Sequence, residues 1–132
     1  MREILFRGKR IDNGEWEYGG CVFTENKVCL IYNQTHSIDL QGCTVEENSV
    51  GQYTGLTDKN GNKIFEGDII EFPDHGNGGT KTGQIKYFDD ETMFLIVYEE
   101  NDCKPLGECF HGLQLEVIGN IHDNPELLEG ES

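Results

Sequence analysis

Apolar residues in this chain recur with a period of two, in short runs broken by Gly, Asn and Asp, and that pattern predicts strands rather than helices. In residues 3–7, Ile4 and Phe6 sit two apart, the spacing of a half-buried strand. Asp12-Asn13-Gly14 then signals a hairpin, because Asn and Gly tolerate the positive φ of tight turns. Trp16 and Tyr18 share the next face, and Gly19-Gly20 predicts a bulge or a close backbone approach before Cys21-Val22-Phe23. Residues 27–32 are continuously apolar enough for a strand covered on both sides. Residues 33–48 read as polar and broken, with Ile38 and Leu40 as a short edge strand.

In the second half, Asp58-Lys59-Asn60-Gly61 predicts a compact turn, and Ile64-Phe65 leads into a corner at Glu66-Gly67-Asp68. Residues 68–72 follow as a strand with Ile69 or Ile70 inward. A glycine-rich loop, a strand at 83–87 and a strongly apolar strand at 93–99 give a spacing similar to SH3-like small barrels. Further strands are expected at 108–110 and 113–121, with a bulge at Gly119. A single helical turn closes the chain, with Asn124 as its cap, Pro125 in first position and Glu126 at the positive end of its dipole. The expected fold is mostly β. An N-terminal antiparallel sheet (1–49) packs against a C-terminal SH3-like, barrel-like half (50–132), with one short C-terminal helical turn.

Three phrases stand out from this pattern. The longest holds Tyr53-Thr54-Gly55-Leu56, then Asp58 and Gly61, then Glu66-Gly67-Asp68-Ile69. Before it come Phe6-Arg7-Gly8-Lys9-Arg10 and Asn13-Gly14-Glu15-Trp16. After it come Val117-Ile118-Gly119-Asn120-Ile121 and Asn124-Pro125-Glu126-Leu127-Leu128. Together they resemble the YopX-like proteins of Gram-positive phages and prophages, over nearly the whole chain except residues 32–45 and 74–83. The resemblance implies one YopX-like domain over residues 1–132, with Gly55, Asp58, Gly61, Glu66, Gly67 and Asp68 as structural motif positions. It implies no defined biochemical role.

Length and composition narrow the classes. A chain of 132 residues can bury somewhat over ~60% of its unfolded surface, so it needs neither disulfide nor metal to fold. No run approaches the ~20 apolar residues of a membrane span, and the opening has no apolar stretch suited to a signal peptide. Both point to the cytoplasm. The five cysteines, Cys21, Cys29, Cys43, Cys103 and Cys109, form no Cys-x-x-Cys pair and read as reduced, mostly buried small hydrophobes.

Charge changes the picture more. The net charge is −15, yet the first ten residues hold four bases against one acid. Residues 87–102 carry six acids and no base: Asp89, Asp90, Glu91, Glu99, Glu100 and Asp102. A surface that binds phosphates clusters Lys and Arg, so direct nucleic-acid binding is disfavoured. The acids form either a solvated hairpin or a surface for a basic partner.

Candidate chemistry is thin. The loop His75-Gly76-Asn77-Gly78-Gly79-Thr80-Lys81-Thr82 has Thr80 between its glycines and Lys81, and it joins strands, so no helix N-terminus is available to hold a phosphate. Cys103, Cys109 and His111 lack paired short spacings and a fourth ligand for zinc. Cys109 with His111 has no orienting acid for a nucleophile. His36, His75 and His122 fall in turns or near-terminal segments. Asp68 reads as a carboxylate bonding local backbone in a tight turn. Trp16, Tyr53, Phe65 and Phe72 read as core aromatics rather than a base-stacking platform, which needs basic neighbours. No cofactor or metal is expected.

The leading expectation is a non-enzymatic phage or prophage accessory protein that works through protein–protein contacts in a bacterial cytoplasm. A nucleic-acid mimic that blocks a basic host protein is a second reading, and an enzyme with an unrecognised site is a third. Edge strands at 38–40 or 113–117 leave homo-oligomerisation open.

Overall fold

The computed structural model describes residues 4–23, 29–32, 42–73, 78–88, 92–98, 102–105 and 115–129. Two compact units divide the chain, Met1–Gly55 and Leu56–Ser132.

The first unit holds β1 (Phe6–Lys9), β2 (Trp16–Phe23), β3 (Cys29–Tyr32), β4 (Gly42–Val45) and a 3-10 turn at Glu47–Ser49. β5 (Gly51–Thr57) begins in this unit. The strands are antiparallel in the order β4-β3-β2-β1-β5. Alternation sorts their side chains. One face supplies the core of Ile31 and Val45, packed by Phe6, Cys21 and Val50.

β2 changes partner at its double glycine, where a bulge or close approach was expected. Gly19 pairs with Phe6 of β1 and Gly20 with Tyr32 of β3. The sheet also bends back on itself. Arg10, just past β1, bridges to Val45 at the end of β4. The Ile11 N–H donates to the Thr44 carbonyl at 3.2 Å, and the Glu46 N–H donates to the Lys9 carbonyl at 2.8 Å. Ser49 locks the same corner by accepting the Lys9 N–H at 2.7 Å and donating to the Glu46 carbonyl at 2.6 Å.

β4 falls within the stretch that reads as polar and broken. Its pattern, Gly-Cys-Thr-Val, is short and holds one strong apolar residue, and only the ladder with β3 makes it a strand. The edge strand expected at Ile38 and Leu40 lies outside the described residues.

The second unit holds β6 (Lys63–Phe65), β7 (Asp68–Pro73), β8 (Thr80–Phe88), β9 (Met93–Tyr98), β10 (Asp102–Pro105), β11 (Glu116–Asn120) and the single-turn helix α1 (Glu126–Glu129). β6 follows β5 in the strand order. The other five strands form an antiparallel sheet in the order β10-β9-β8-β7-β11. That order is open: among the described residues no ladder joins β10 to β11, so the SH3-like resemblance stops short of a closed barrel. The mostly-β class holds in both units.

The core gathers Ile64, Ile70, Phe72, Ile85, Ile96 and Leu115 on one face of this sheet. Ile69 and Ile70 are consecutive and both 0% exposed, so β7 is covered on both faces rather than on one. The register slips between Val117 and Gly119, which is the bulge expected at Gly119. β10 ends in Pro105 and is an edge strand among the described residues, a position that proline tolerates. Asn124 behaves differently from a side-chain cap. Its side-chain oxygen accepts the Asn120 N–H at 3.3 Å, while the Leu127 N–H donates to the Asn124 backbone carbonyl at 3.1 Å.

Gly8 is closely packed in the first unit. A Cβ there would lie 2.7 Å from Val45 Cγ2 and 2.9 Å from Val45 Cβ, and Val45 is 2% exposed with no room to retreat. Gly8→Ala should therefore cost about 2 kcal/mol in urea denaturation, the usual scale of overpacking. Adding Val45→Ala to that variant should cost less than Val45→Ala alone, because the two changes relieve each other.

Candidate functional site

Several motif residues meet within residues 58–68. Asp58 is 6% exposed, and its carboxylate serves as a backbone acceptor. Oδ1 accepts the Asn60 and Asn62 N–H groups at 2.9 and 2.8 Å. Oδ2 accepts the Asn62 side-chain amide at 3.3 Å and the Val117 N–H at 2.9 Å. The first three bonds form a local turn of the kind aspartate favours. The fourth reaches across 59 residues of sequence to β11.

Neighbouring groups reinforce that tie. The Lys59 N–H donates to the Leu115 carbonyl at 2.9 Å, and Lys59 Nζ lies 3.6 Å from Glu116 Oε2. Both side chains of that ion pair are more than a third exposed, so it adds at most about 1 kcal/mol. Burial pushes the Asp58 carboxyl up. The Val117 and Asn62 N–H groups, the Asn62 amide and the Asn60 N–H outweigh it and hold the acid below its ordinary range.

The corner at Glu66-Gly67 does the same at the other end of β11. The Gly67 N–H donates to the Ile85 carbonyl at 2.9 Å, and the Ile121 N–H donates to the Gly67 carbonyl at 3.0 Å. Gly67 has φ 92°, a left-handed conformation that costs an L-residue about 1–2 kcal/mol. Asp68, 2% exposed, accepts the Phe65 N–H at 2.7 Å and pairs in the ladder with Asn120. Gly55 and Gly61 also have positive φ, 93° and 85°. Glu66 is half-buried in the turn between β6 and β7.

The remaining candidates scatter. Asp89, Asp90, Glu91, Glu99 and Glu100 lie outside the described residues, and Asp102 opens β10 opposite Tyr98. Cys103 pairs with Val97 in that ladder, whereas Cys109, His111, His36 and His75 lie outside the described residues. Cys21 and Cys43 are half-buried. Among the described residues no three His, Cys, Asp or Glu side chains converge to hold a metal ion, and no helix is long and apolar enough to cross a membrane.

In the glycine-rich loop, Lys81 lies in β8 with its ammonium 4.9 Å from the centre of the Tyr98 ring. Two bases of the opening, Arg7 and Arg10, are engaged within the chain. Arg10 forks onto Asp12 at 3.0 and 2.8 Å and lies 3.5 Å from Glu17. The Arg7 guanidinium sits 4.7 Å above the Trp16 ring. Tyr53, Phe65 and Phe72 are buried, and Trp16 is half-buried beneath Arg7.

A model of the family described as YopX protein matches residues 5–129. The chain belongs to the YopX family. Among solved structures, this YopX chain is similar to the crystal structure of protein EF1440 from Enterococcus faecalis. The TM-score is 0.59 at 24% identity, over 97% of this chain and 99% of that one. At that identity the likeness shows the fold alone. Comparison with curated proteins finds no match.

One group escaped sequence reasoning. Tyr87, Phe88 and Met93 are 40%, 37% and 38% exposed at the β8–β9 end. Their signal was an apolar run flanking an acidic link, and it reads as core wherever every strand residue is taken to face a neighbour.

The Asp58 geometry sets a pH expectation. A carboxyl held below its ordinary value stabilises the fold above the unfolded-state pKa of ~3.9, and that stability disappears as pH falls through the folded value. Asp58→Asn should cost about 2–3 kcal/mol at pH 7 in urea denaturation, because an amide cannot accept at every donor. The gap between the variant and the parent should narrow below about pH 4.

Proposed function

We propose that this YopX protein is a non-enzymatic accessory protein of a phage or prophage that works through protein–protein contacts in a bacterial host cytoplasm. One observation carries the reading: the buried acids of its motif, Asp58 and Asp68, are engaged by backbone N–H groups. A general acid or base needs a carboxyl facing a reacting group. These carboxyls face the chain that they organise. The basic residues Arg7 and Arg10 are likewise engaged within the chain, by Trp16 and by Asp12 and Glu17.

The test is a tagged pull-down from host lysate, washed at low and then at high salt, with mass spectrometry of what remains. A specific protein that survives high salt is the expected result. Basic nucleic-acid-binding proteins that leave with salt would favour mimicry instead, because exposed charge contacts are screened. Failure to recover any partner under either wash would count against protein–protein action.

A further inference from the structure

We infer that Asn60-Gly61 is a latent modification site. The Asp58 turn holds it unreactive, and opening of that turn lets it close on itself as a cyclic imide and convert to an acid.

Asparagine followed by glycine carries this reaction in its own atoms. The Gly61 main-chain nitrogen gives up its proton to water and attacks Asn60 Cγ. A carbon–nitrogen bond forms, and Nδ2 leaves with a proton as ammonia. Water then adds to one of the two imide carbonyls. Opening on one side leaves aspartate at position 60. Opening on the other leaves isoaspartate, with the main chain routed through the side-chain carbonyl. The sum is asparagine and water to a carboxylic acid and ammonia, with no oxidant and no enzyme.

Access does not restrain the site. Asn60 and Gly61 are both exposed. Among the described residues nothing lies within 4 Å of the place a Gly61 Cβ would take, so the attacking nitrogen is not crowded.

Hydrogen bonds restrain it instead. The Gly61 N–H, which must lose its proton, donates to the Asp58 carbonyl at 3.0 Å. The Asn60 N–H donates to Asp58 Oδ1 at 2.9 Å and fixes the backbone beside the reacting carbon. The Asn60 side-chain amide, which must leave, reaches Glu116 Oε1 of β11 at 3.5 Å. The Asp58 N–H closes the loop on the Asn62 carbonyl at 2.8 Å. Reaction therefore waits for the turn to open, and its rate follows the population of the open form.

The conversion runs one way. Isoaspartate adds one main-chain carbon between Asp58 and Asn62, the two residues whose backbone and carboxylate groups meet in this turn. The longer chain cannot restore every bond, and the same Asp58 carboxylate holds Val117 of β11. A single opening thus becomes a permanent loosening of the second unit.

The experiment incubates the full chain in mildly alkaline buffer as parent, Asp58→Ala and Asp58→Ser, after denaturant titration of each form. Mass spectrometry of peptides follows the amide-to-acid conversion at Asn60, and an isoaspartate-specific methyltransferase identifies the isomer. Asn13-Gly14, in an exposed turn of the first unit, is the reference within each sample. The parent is also incubated in enough denaturant to make it only as stable as Asp58→Ala, which separates opening of the turn from general destabilisation. We expect Asp58→Ala to convert Asn60 at least ~10-fold faster than this matched parent, with Asn13 unaltered. Asp58→Ser, which keeps one acceptor, should fall between them and carries the test should the alanine variant not fold. The isoaspartate form of the parent, isolated by chromatography, should unfold at lower denaturant than the unconverted chain.

Equal rates at Asn60 in the variants and the matched parent would overturn protection by the turn. An acceleration at Asn13 as large as that at Asn60 would overturn its locality. An isoaspartate form as stable as the parent would overturn the one-way step.

Discussion

The second unit depends on one carboxylate. Asp58 gathers two backbone N–H groups and a side-chain amide of its own turn, and then accepts the Val117 N–H from β11. Among the described residues β11 pairs in the ladder only with β7, so it needs help at its ends. Asp58 and Lys59 hold its start, and Gly67 holds the residue after its end. The YopX phrase is in this sense a bracket. Its acids are buried because the donors they satisfy are buried, and an unsatisfied buried donor is costly.

The first unit solves a different problem. Among the described residues its core is built on Ile31 and Val45 with Phe6, Cys21 and Val50 around them. Compactness comes from bending the sheet until residues past β1 meet the end of β4. Such a bend requires backbone to approach side chain closely, and Gly8 against Val45 is where that happens. Ser49 bonds two backbone groups of the corner at once and is 2% exposed.

Local chemistry made much of this readable. The mostly-β class, the strands at β1, β2 and β7–β9, the bulge at Gly119 and the place of the terminal helical turn, though not its side-chain cap, follow from alternation and turn residues. β4 did not, because Gly-Cys-Thr-Val carries too little apolar signal without the ladder that makes it a strand. The turn at Asp58 can be read from Asp-Lys-Asn-Gly, whereas its bond to Val117 cannot, since nothing local marks a donor 59 residues away. The exposed ribbon at Tyr87, Phe88 and Met93 was hidden for the opposite reason. Strand-like hydrophobicity does not say how far the neighbouring strands extend.

The position of β11 has a consequence for how the chain comes into being. β7 and β8 are adjacent in sequence and can pair as soon as both leave the ribosome. The other edge of β7 waits for residues 116–120, nearly fifty positions later. At roughly 5–20 residues per second, that edge stays unpaired for several seconds of synthesis. Such long-range closure is intrinsically slow, and a bare strand edge is a template for the wrong partner in the meantime. The turn at Asp58 is made long before its distant donor arrives. Its acceptor therefore stands ready in the nascent chain, and the last strand has a marked place to land.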